Sequence, residues 1–358
     1  MIKRRDFLQT AAAASLFTTA GGRVFAQDRQ HYISQAGKSL VFAGSGGALG
    51  ESFKRIFTDF TAQTGISVTY LAGPILDMYG RIRAERNRPS IDVYLSNGVA
   101  EAKGIVDGAF QQLNPKIVTA LPELYDLARV PNDMGVRIEF TNVGIIFNKK
   151  PFLEKKIPFP SKWEDVWSPA VEGRVVLGDT TSFYTILYIA YMNKLRGGKE
   201  DDPTAGIDFI ASQKSKLMAI VRTYPERMQF LTSGQAWLTV DVGLTSIPET
   251  KKNPDLGWAA LQEAPLFWNG FHVVKDCPNP IGAQLLVNHM ISAKAQETFA
   301  RENFVGPANK TVKLDEEIAQ LVPYGPEGIK RFLALDHGLI GDSLNRYRDL
   351  WNEKIASK

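Results

Sequence analysis

Ser39-Leu40-Val41-Phe42-Ala43-Gly44-Ser45-Gly46-Gly47 is the stretch of this 358-residue chain from which the fold can be read. Ser39 to Ala43 is an apolar run of strand length. Gly44 to Gly47 is a tight turn. Beyond it Phe53, Ile56, Phe57 and Phe60 recur at spacings of three, four and seven, the stripe of an amphipathic helix. Gly65 ends that helix as a C-terminal cap. Ile66, Val68 and Tyr70 then alternate with polar residues, which predicts a second strand. Strand, helix and strand of these lengths form a crossover unit of a parallel sheet.

The pattern repeats along the chain. A helix is predicted near 75–88, then a short strand Ile91-Asp92-Val93-Tyr94-Leu95. Ser96-Asn97-Gly98 lead into a helix near 99–108. Val143 to Phe147 and Arg174 to Leu177 read as buried strands, and Ser161 to Asp165 as a short capped helix. Asp179-Thr180-Thr181-Ser182 opens a long apolar helix that runs to about Leu195. Leu217 to Val221 fits either a helix end or a strand. Ala236 to Val240, Trp258 to Ala260 and Gly270 to Val274 are strand-like. The last quarter turns helical, with Leu285, Leu286, His289, Met290 and Ala293 on one apolar face and Leu344, Tyr347, Trp351 and Ile355 on another. Alternating strands and helices predict an α/β fold. Residues 27–38 are polar and predict a loose leader. There is no repeat of solenoid period and no low-complexity linker, so two domains would be joined by strand-like crossings.

Hydrophobic residues make up 44% and charged residues 22%, which excludes a mainly disordered or coiled-coil chain. The formal charge of +4 hints at an anionic partner. Its location removes the hint. Lys3, Arg4, Arg5 and Arg23 stand against Asp6 in the first 26 residues, leaving 38 basic and 37 acidic residues in the other 332. No run of five like charges occurs there, so no nucleic-acid partner is expected. Residues 1–26 have a basic start, an apolar run from Ala11 to about Ala20, and small residues around Val24-Phe25-Ala26. This segment resembles a twin-arginine signal peptide, with Arg4-Arg5 followed by Phe7-Leu8. The expectation is a soluble periplasmic protein exported by the twin-arginine translocase. Cys277 is the one cysteine, far from the cleavage site, so neither an internal disulfide nor a lipid anchor is expected.

Catalytic motifs are scarce. His31, His272, His289 and His337 form no metal-ligand pattern, and His289 lies on an apolar helix face, where a core histidine is the expectation. No nucleophile elbow or P-loop occurs, and Gly44 to Gly47 lacks the spacing of a dinucleotide fingerprint. Cys277 sits in a turn and reads as an incidental thiol. No metal and no cofactor are expected. Two strand–turn–helix junctions do stand out: Ser45-Gly46-Gly47, and Asp179-Thr180-Thr181-Ser182. Backbone N–H groups and hydroxyls at a helix start suit negative or strongly dipolar groups. Ser96-Asn97 is a weaker third. Each is equally read as an ordinary N-cap.

From Ser39 to Lys358 the chain resembles the periplasmic solute-binding proteins of ABC importers, in the group of polyamine-, iron- and phosphonate-type receptors. The resemblance is carried by the opening strand, turn and helix through Phe60-Thr61-Ala62-Gln63-Thr64-Gly65-Ile66-Ser67-Val68, and by Ile91-Asp92-Val93. It continues through Gly144-Ile145-Ile146-Phe147-Asn148, Pro160 to Trp167, Glu172 to Leu177, and Asn279-Pro280-Ile281-Gly282-Ala283-Gln284. It implies a two-lobed, type II-like α/β fold with a ligand cleft between lobes. Lobe one would comprise 39–137 and 270–325, lobe two 143–263, and the hinge 138–142 and 264–269. Residues 326–358 would pack across both lobes. The implied function is non-enzymatic: capture of a small solute and delivery to an ABC permease.

The resemblance also bears on the ligand. Iron receptors of this group use adjacent tyrosines, whereas Tyr184, Tyr188 and Tyr191 are spread along a helix and read as core aromatics. Polyamine receptors place a tryptophan and acids at the hinge and after the lobe-two strand. Here Trp268 is kept, but Asn269, Thr180 and Phe183 stand where acids would be. A buried dication needs paired carboxylates. The Thr180 to Ser182 hydroxyls suit a carboxylate or phosphonate, Asp241 an ammonium, and Trp268 an alkyl chain or cation. The expected ligand is therefore a small zwitterion or anion, such as an amino-acid derivative or aminophosphonate. A polyamine receptor is one alternative, and a twin-arginine-exported periplasmic enzyme another.

Overall fold

The computed structural model describes residues 28–261, 263–333 and 335–356. The export signal read at 1–26 lies outside the described residues. Residues 28–35 form a helix, where the polar composition had suggested a loose leader. Tyr32, Ile33 and Ala36 pack on the neighbouring core, and Asn279 Oδ1 accepts the Gly37 N–H, which explains the order.

Strand β1 (Ser39–Gly44) is followed by the helix Gly47–Thr64 and by β2 (Ser67–Ala72). β1 and β2 pair in parallel from Ser39↔Ser67 to Gly44↔Ala72, as the opening stretch predicts. Gly65 closes the helix at φ 72°, donating its N–H to the Thr61 carbonyl. β3 (Val93–Asn97) joins the other side of β1 in parallel. The remaining strands are β4 (Phe110–Gln111), β5 (Val136–Asn148), β6 (Val175–Gly178), β7 (Leu217–Val221), β8 (Leu238–Val242), β9 (Leu256–Ala259), β10 (Leu266–Val274) and β11 (Gly306–Pro307). The segment 217–221, ambiguous in sequence, is a strand.

The main strand order is β2-β1-β3-β10-β5-β8-β6-β7. β10 runs antiparallel to both β3 and β5. β5 joins the two halves of the sheet. Its residues up to Asn142 pair with β10, while Val143 to Phe147 pair with β8. Packing follows the same division. Val136, Ile138 and Phe140 enter one hydrophobic core; Val143, Ile145 and Phe147 enter a second. β10 feeds both cores by alternation, Leu266 and Trp268 to the first and Phe267 to the second.

Phe42 centres the first core. Its ring lies 4.8 Å from Phe57 and 4.9 Å from Phe271, linking β1, the Gly47–Thr64 helix and β10. Tyr188 and Trp167 anchor the second core, joined by a 2.9 Å hydrogen bond from the indole N–H to the phenol oxygen. The C-terminal segment is unevenly shared. Tyr347, Trp351 and Ile355 belong to the second core, whereas the helix His337–Asp342 reaches across to the helix Gly98–Val106. Phe332 packs against both cores.

Phe42→Ala should lower unfolding stability by about 3–5 kcal/mol, because a fully buried ring is lost from between three elements. Urea denaturation followed by circular dichroism measures this; a loss below about 1 kcal/mol contradicts the central place given to Phe42.

Candidate functional site

Several of the interior polar groups that lack partners lie on or beside the two crossing strands. Among the described residues, buried side-chain atoms without a hydrogen bond include Glu139 Oε2 and both amide atoms of Asn142 on β5. On β10 they include Trp268 Nε1 and Asn269 Oδ1, and nearby elements add Arg227 Nη1 and both ring nitrogens of His337. Buried polar groups are nearly always satisfied in native proteins, so a cluster of orphans marks a place where polar ligands can bind.

Glu139 is fully buried in β5, on the face of the strand that also carries Arg137 and Thr141. Its Oε1 accepts hydrogen bonds from the Asn269 amide Nδ2 at 2.6 Å and the Asn269 backbone N–H at 3.0 Å. Those bonds favour the charged form, but burial outweighs them and pushes the carboxyl up to about 8. Asn269, the expected ligand contact, thus fixes Glu139 and leaves its own Oδ1 free.

Asp241 does not await a ligand cation. Its Oδ2 accepts from Arg227 Nη2 at 2.7 Å and from Nε at 3.1 Å, and its Oδ1 accepts the Val242 N–H and the Thr245 hydroxyl. The expectation that Asp241 pairs an ammonium is corrected: Arg227 already supplies its counter-charge and offsets its desolvation. Arg227 comes from the helix Tyr224–Thr232, and its Nη1 lies beneath the end of β6. A Cβ on Gly178 would stand 2.7 Å from Arg227 Nη1 and 2.7 Å from Thr185 Oγ1, so only glycine permits this approach.

The Asp179–Ser182 turn therefore sits next to a buried guanidinium. Asp179 Oδ1 takes the Thr181 N–H at 2.9 Å and the Thr181 hydroxyl, so that hydroxyl is already engaged. Thr180 is buried, and Ser182 makes no capping bond to the helix Phe183–Lys194, which leaves first-turn N–H groups without a side-chain acceptor. Tyr184 follows in that helix. Half-buried, it packs on Phe267 at 5.2 Å and lies within electrostatic reach of Glu139, Asp241 and Arg227. Burial and the two carboxylates push its hydroxyl upward, against the guanidinium. Tyr188 and Tyr191 are core residues as expected, while Tyr184 faces this polar cluster.

The other expected contacts are placed differently. Ser45, Gly46 and Gly47 form a largely exposed turn, with the Ser45 carbonyl accepting from the Tyr70 hydroxyl and Gly47 at φ 69°. Ser96 is buried and donates to His272 Nε2 at 2.9 Å; His272 Nδ1 in turn donates to the Met134 carbonyl. Asn97 caps the helix Gly98–Val106 by accepting the Ala100 N–H at 3.0 Å. Ser96 and Asn97 therefore hold the structure around β3 and the helix that follows it, the ordinary role of such residues. Trp268 is buried, with the Arg137 guanidinium 4.3 Å and the His337 ring 4.1 Å from its own ring centre. Arg137 also pairs with Glu101, donating to its Oε1 from Nη2 at 2.7 Å and from Nε at 3.0 Å and leaving Glu101 Oε2 without a hydrogen bond.

Glu139, Arg227, Tyr184 and His337 are the site residues that the motifs did not reveal. Glu139 carries no signal: Val136-Arg137-Ile138-Glu139-Phe140 alternates apolar and charged residues, as a half-exposed strand does. Arg227 carries none either, since Thr223-Tyr224-Pro225-Glu226-Arg227 reads as a capped surface helix.

Two α/β units on continuous crossing strands, with a polar cluster at the crossing, define a bilobal periplasmic-binding-protein fold. The chain belongs to the family of bacterial extracellular solute-binding proteins, which matches residues 55–323. Iron uptake protein A1 of Synechocystis sp. is 22% identical over 284 residues, covering 74% of each chain. A Bordetella parapertussis structure described as an extracellular solute-binding protein superposes with TM-score 0.77 at 20% identity, covering 89% of this chain and 99% of the other. The spermidine/putrescine substrate-binding protein PotD of Streptococcus pneumoniae, solved with calcium and HEPES, gives TM-score 0.74 at 17% identity, covering 88% and 98%. The protein is thus a non-enzymatic, solute-binding protein. This sets aside the alternative of an exported enzyme.

Glu139 gives the site a pH signature. Its carboxyl holds a proton more tightly in the folded chain, at about 8, than at its ordinary 4.5. The contribution of Glu139 to stability is therefore fully present below about pH 4.5 and is lost as pH rises toward 8. Glu139→Gln, neutral throughout, should match the wild type near pH 4 and exceed it increasingly up to pH 8, at up to about 1.4 kcal/mol per pH unit. Thermal unfolding across this range checks the slope; parallel curves contradict it.

Proposed function

We propose that this receptor carries a small zwitterion, with its ammonium at Glu139 and its acid group at Arg227 and the first turn of the Phe183–Lys194 helix. The observation that carries the reading is the pair of orphaned buried atoms of opposite character, Glu139 Oε2 and Arg227 Nη1, both within electrostatic reach of Tyr184. An ammonium at Glu139 supplies the counter-charge that lets this carboxyl ionise. An acid at Arg227 Nη1 completes a guanidinium whose other edge Asp241 already occupies. An amino-acid derivative or aminophosphonate has both groups at short separation.

The names of the relatives suggest a polyamine or iron. A polyamine requires two carboxylates free of cationic partners, but Asp241 pairs with Arg227 and Glu101 pairs through Oε1 with Arg137, so among these three only Glu139 lacks one. Among the described residues no group of three or more His, Cys, Asp or Glu side chains is gathered for a metal. The lobe division 39–137 with 270–325 against 143–263, hinged at 138–142 and 264–269 and bridged by 326–358, belongs to the same proposal. The switch of cores along β5 and β10 supports it.

Isothermal titration and thermal shift with amino acids, opine-like compounds, aminophosphonates, putrescine, succinate and ferric citrate test the ligand class. A zwitterion should raise the melting temperature by mass action, and Glu139→Gln should weaken its binding about tenfold or more. Stabilisation by putrescine or ferric ion, with no response to any zwitterion, overturns the reading.

The basic start and Arg4-Arg5-Asp6-Phe7-Leu8 support export through the twin-arginine translocase to the periplasm. Replacing both arginines by lysine should leave uncleaved precursor in the cytoplasm, read by fractionation and immunoblot; undiminished periplasmic product contradicts that route.

A further inference from the structure

His337 stands where both cores and the β10 crossing meet. It begins the short helix His337–Asp342 and is buried. Its imidazole lies nearly parallel to the indole of Trp268, with centroids 4.1 Å apart and planes at 13°. From the second core, Phe183 approaches edge-on at 5.7 Å and 73°. From the first, Gly98 makes room: a Cβ there would fall 1.8 Å from His337 Nδ1. The helix is held on both sides of the histidine. Asp336 Oδ1 accepts the Leu339 N–H at 3.0 Å, and Leu335 and Ile340 are buried in the second core.

The face of an indole attracts cations and flat rings. Here the Arg137 guanidinium lies 4.3 Å from the Trp268 ring centre, and His337 stacks on the same side chain. Burial and the Arg137 charge push the imidazole down to about 3, so it stacks as a neutral ring at neutral pH. Its nitrogens make no hydrogen bond of ordinary geometry, and neither does Trp268 Nε1. The ring is thus held by shape and stacking, much as a small aromatic ligand would be.

We propose that His337 is a built-in occupant of the Trp268 aromatic shelf, excluding flat and cationic solutes and confining the ligand to the Glu139–Arg227 side. This rests on the reading that the solute binds at the crossing strands. It makes His337 a specificity-determining residue contributed by the C-terminal segment. Trp268, expected to touch the ligand, contacts the protein's own imidazole.

The test uses 4-methylimidazole, the excised side chain, as the probe in isothermal titration and thermal shift. The wild type should bind it negligibly. His337→Ala should bind it saturably, roughly tenfold or more tighter than the wild type. His337→Phe, which refills the shelf, should exclude it again. A folded His337→Ala protein that binds the probe no better than wild type overturns the proposal, as does binding by His337→Phe. If His337→Ala fails to fold, the histidine ring protons of the wild type decide. The NMR signals lost in His337→Phe should show the upfield ring-current shift of a stacked imidazole, and unshifted signals overturn the proposal. Neither readout uses the natural solute, so failure of the zwitterion assignment and failure of the shelf remain distinguishable.

Discussion

A carboxylate buried without a full counter-charge is the constraint on which this molecule turns. Glu139 lies inside β5, the strand that leaves one hydrophobic core and enters the other within a few residues. Desolvation penalises its charge, and the two hydrogen bonds from Asn269 do not offset the penalty. In a strand that only bridged two cores, an apolar residue would be more stable there. The cost is understandable if the charge is to be met by a ligand cation when the lobes close.

The rest of the site follows from keeping other charges away from that role. Asp241 is neutralised by Arg227, and Glu101 by Arg137. Arg227 presents one leftover nitrogen toward the end of β6, and Gly178 is small enough to allow it. Trp268 is covered by the protein's own Arg137 and His337. The cluster that remains is small and has two signs.

Much of the fold was legible in the sequence, because local periodicity determines it. The run Ser39 to Ala43, the glycine turn and the phenylalanine stripe gave the first crossover unit, and the lack of any linker pointed to strand crossings. Residues 27–38 were misread because polar composition cannot reveal that Tyr32 and Ile33 find a groove or that Asn279 holds Gly37. The site was harder. Asn269, Trp268 and the Asp179 to Ser182 turn stand out in the sequence, yet their partners come from elsewhere along the chain. Asp241 meets Arg227 fourteen residues away, and Trp268 meets His337 from the last helices. Ser96 and Asn97 sat in a plausible turn but serve His272 and a helix start. Such roles depend on tertiary neighbours that no spacing rule encodes.

The most direct measurement is a carbon-13 NMR titration of the Glu139 carboxyl, assigned with Glu139→Gln, in the free protein and with a bound zwitterionic solute. The account predicts a midpoint near 8 in the free protein and a fall to below neutrality once an ammonium group sits against the carboxylate. A midpoint in the ordinary carboxylate range without solute, or one that solute does not move, would contradict it.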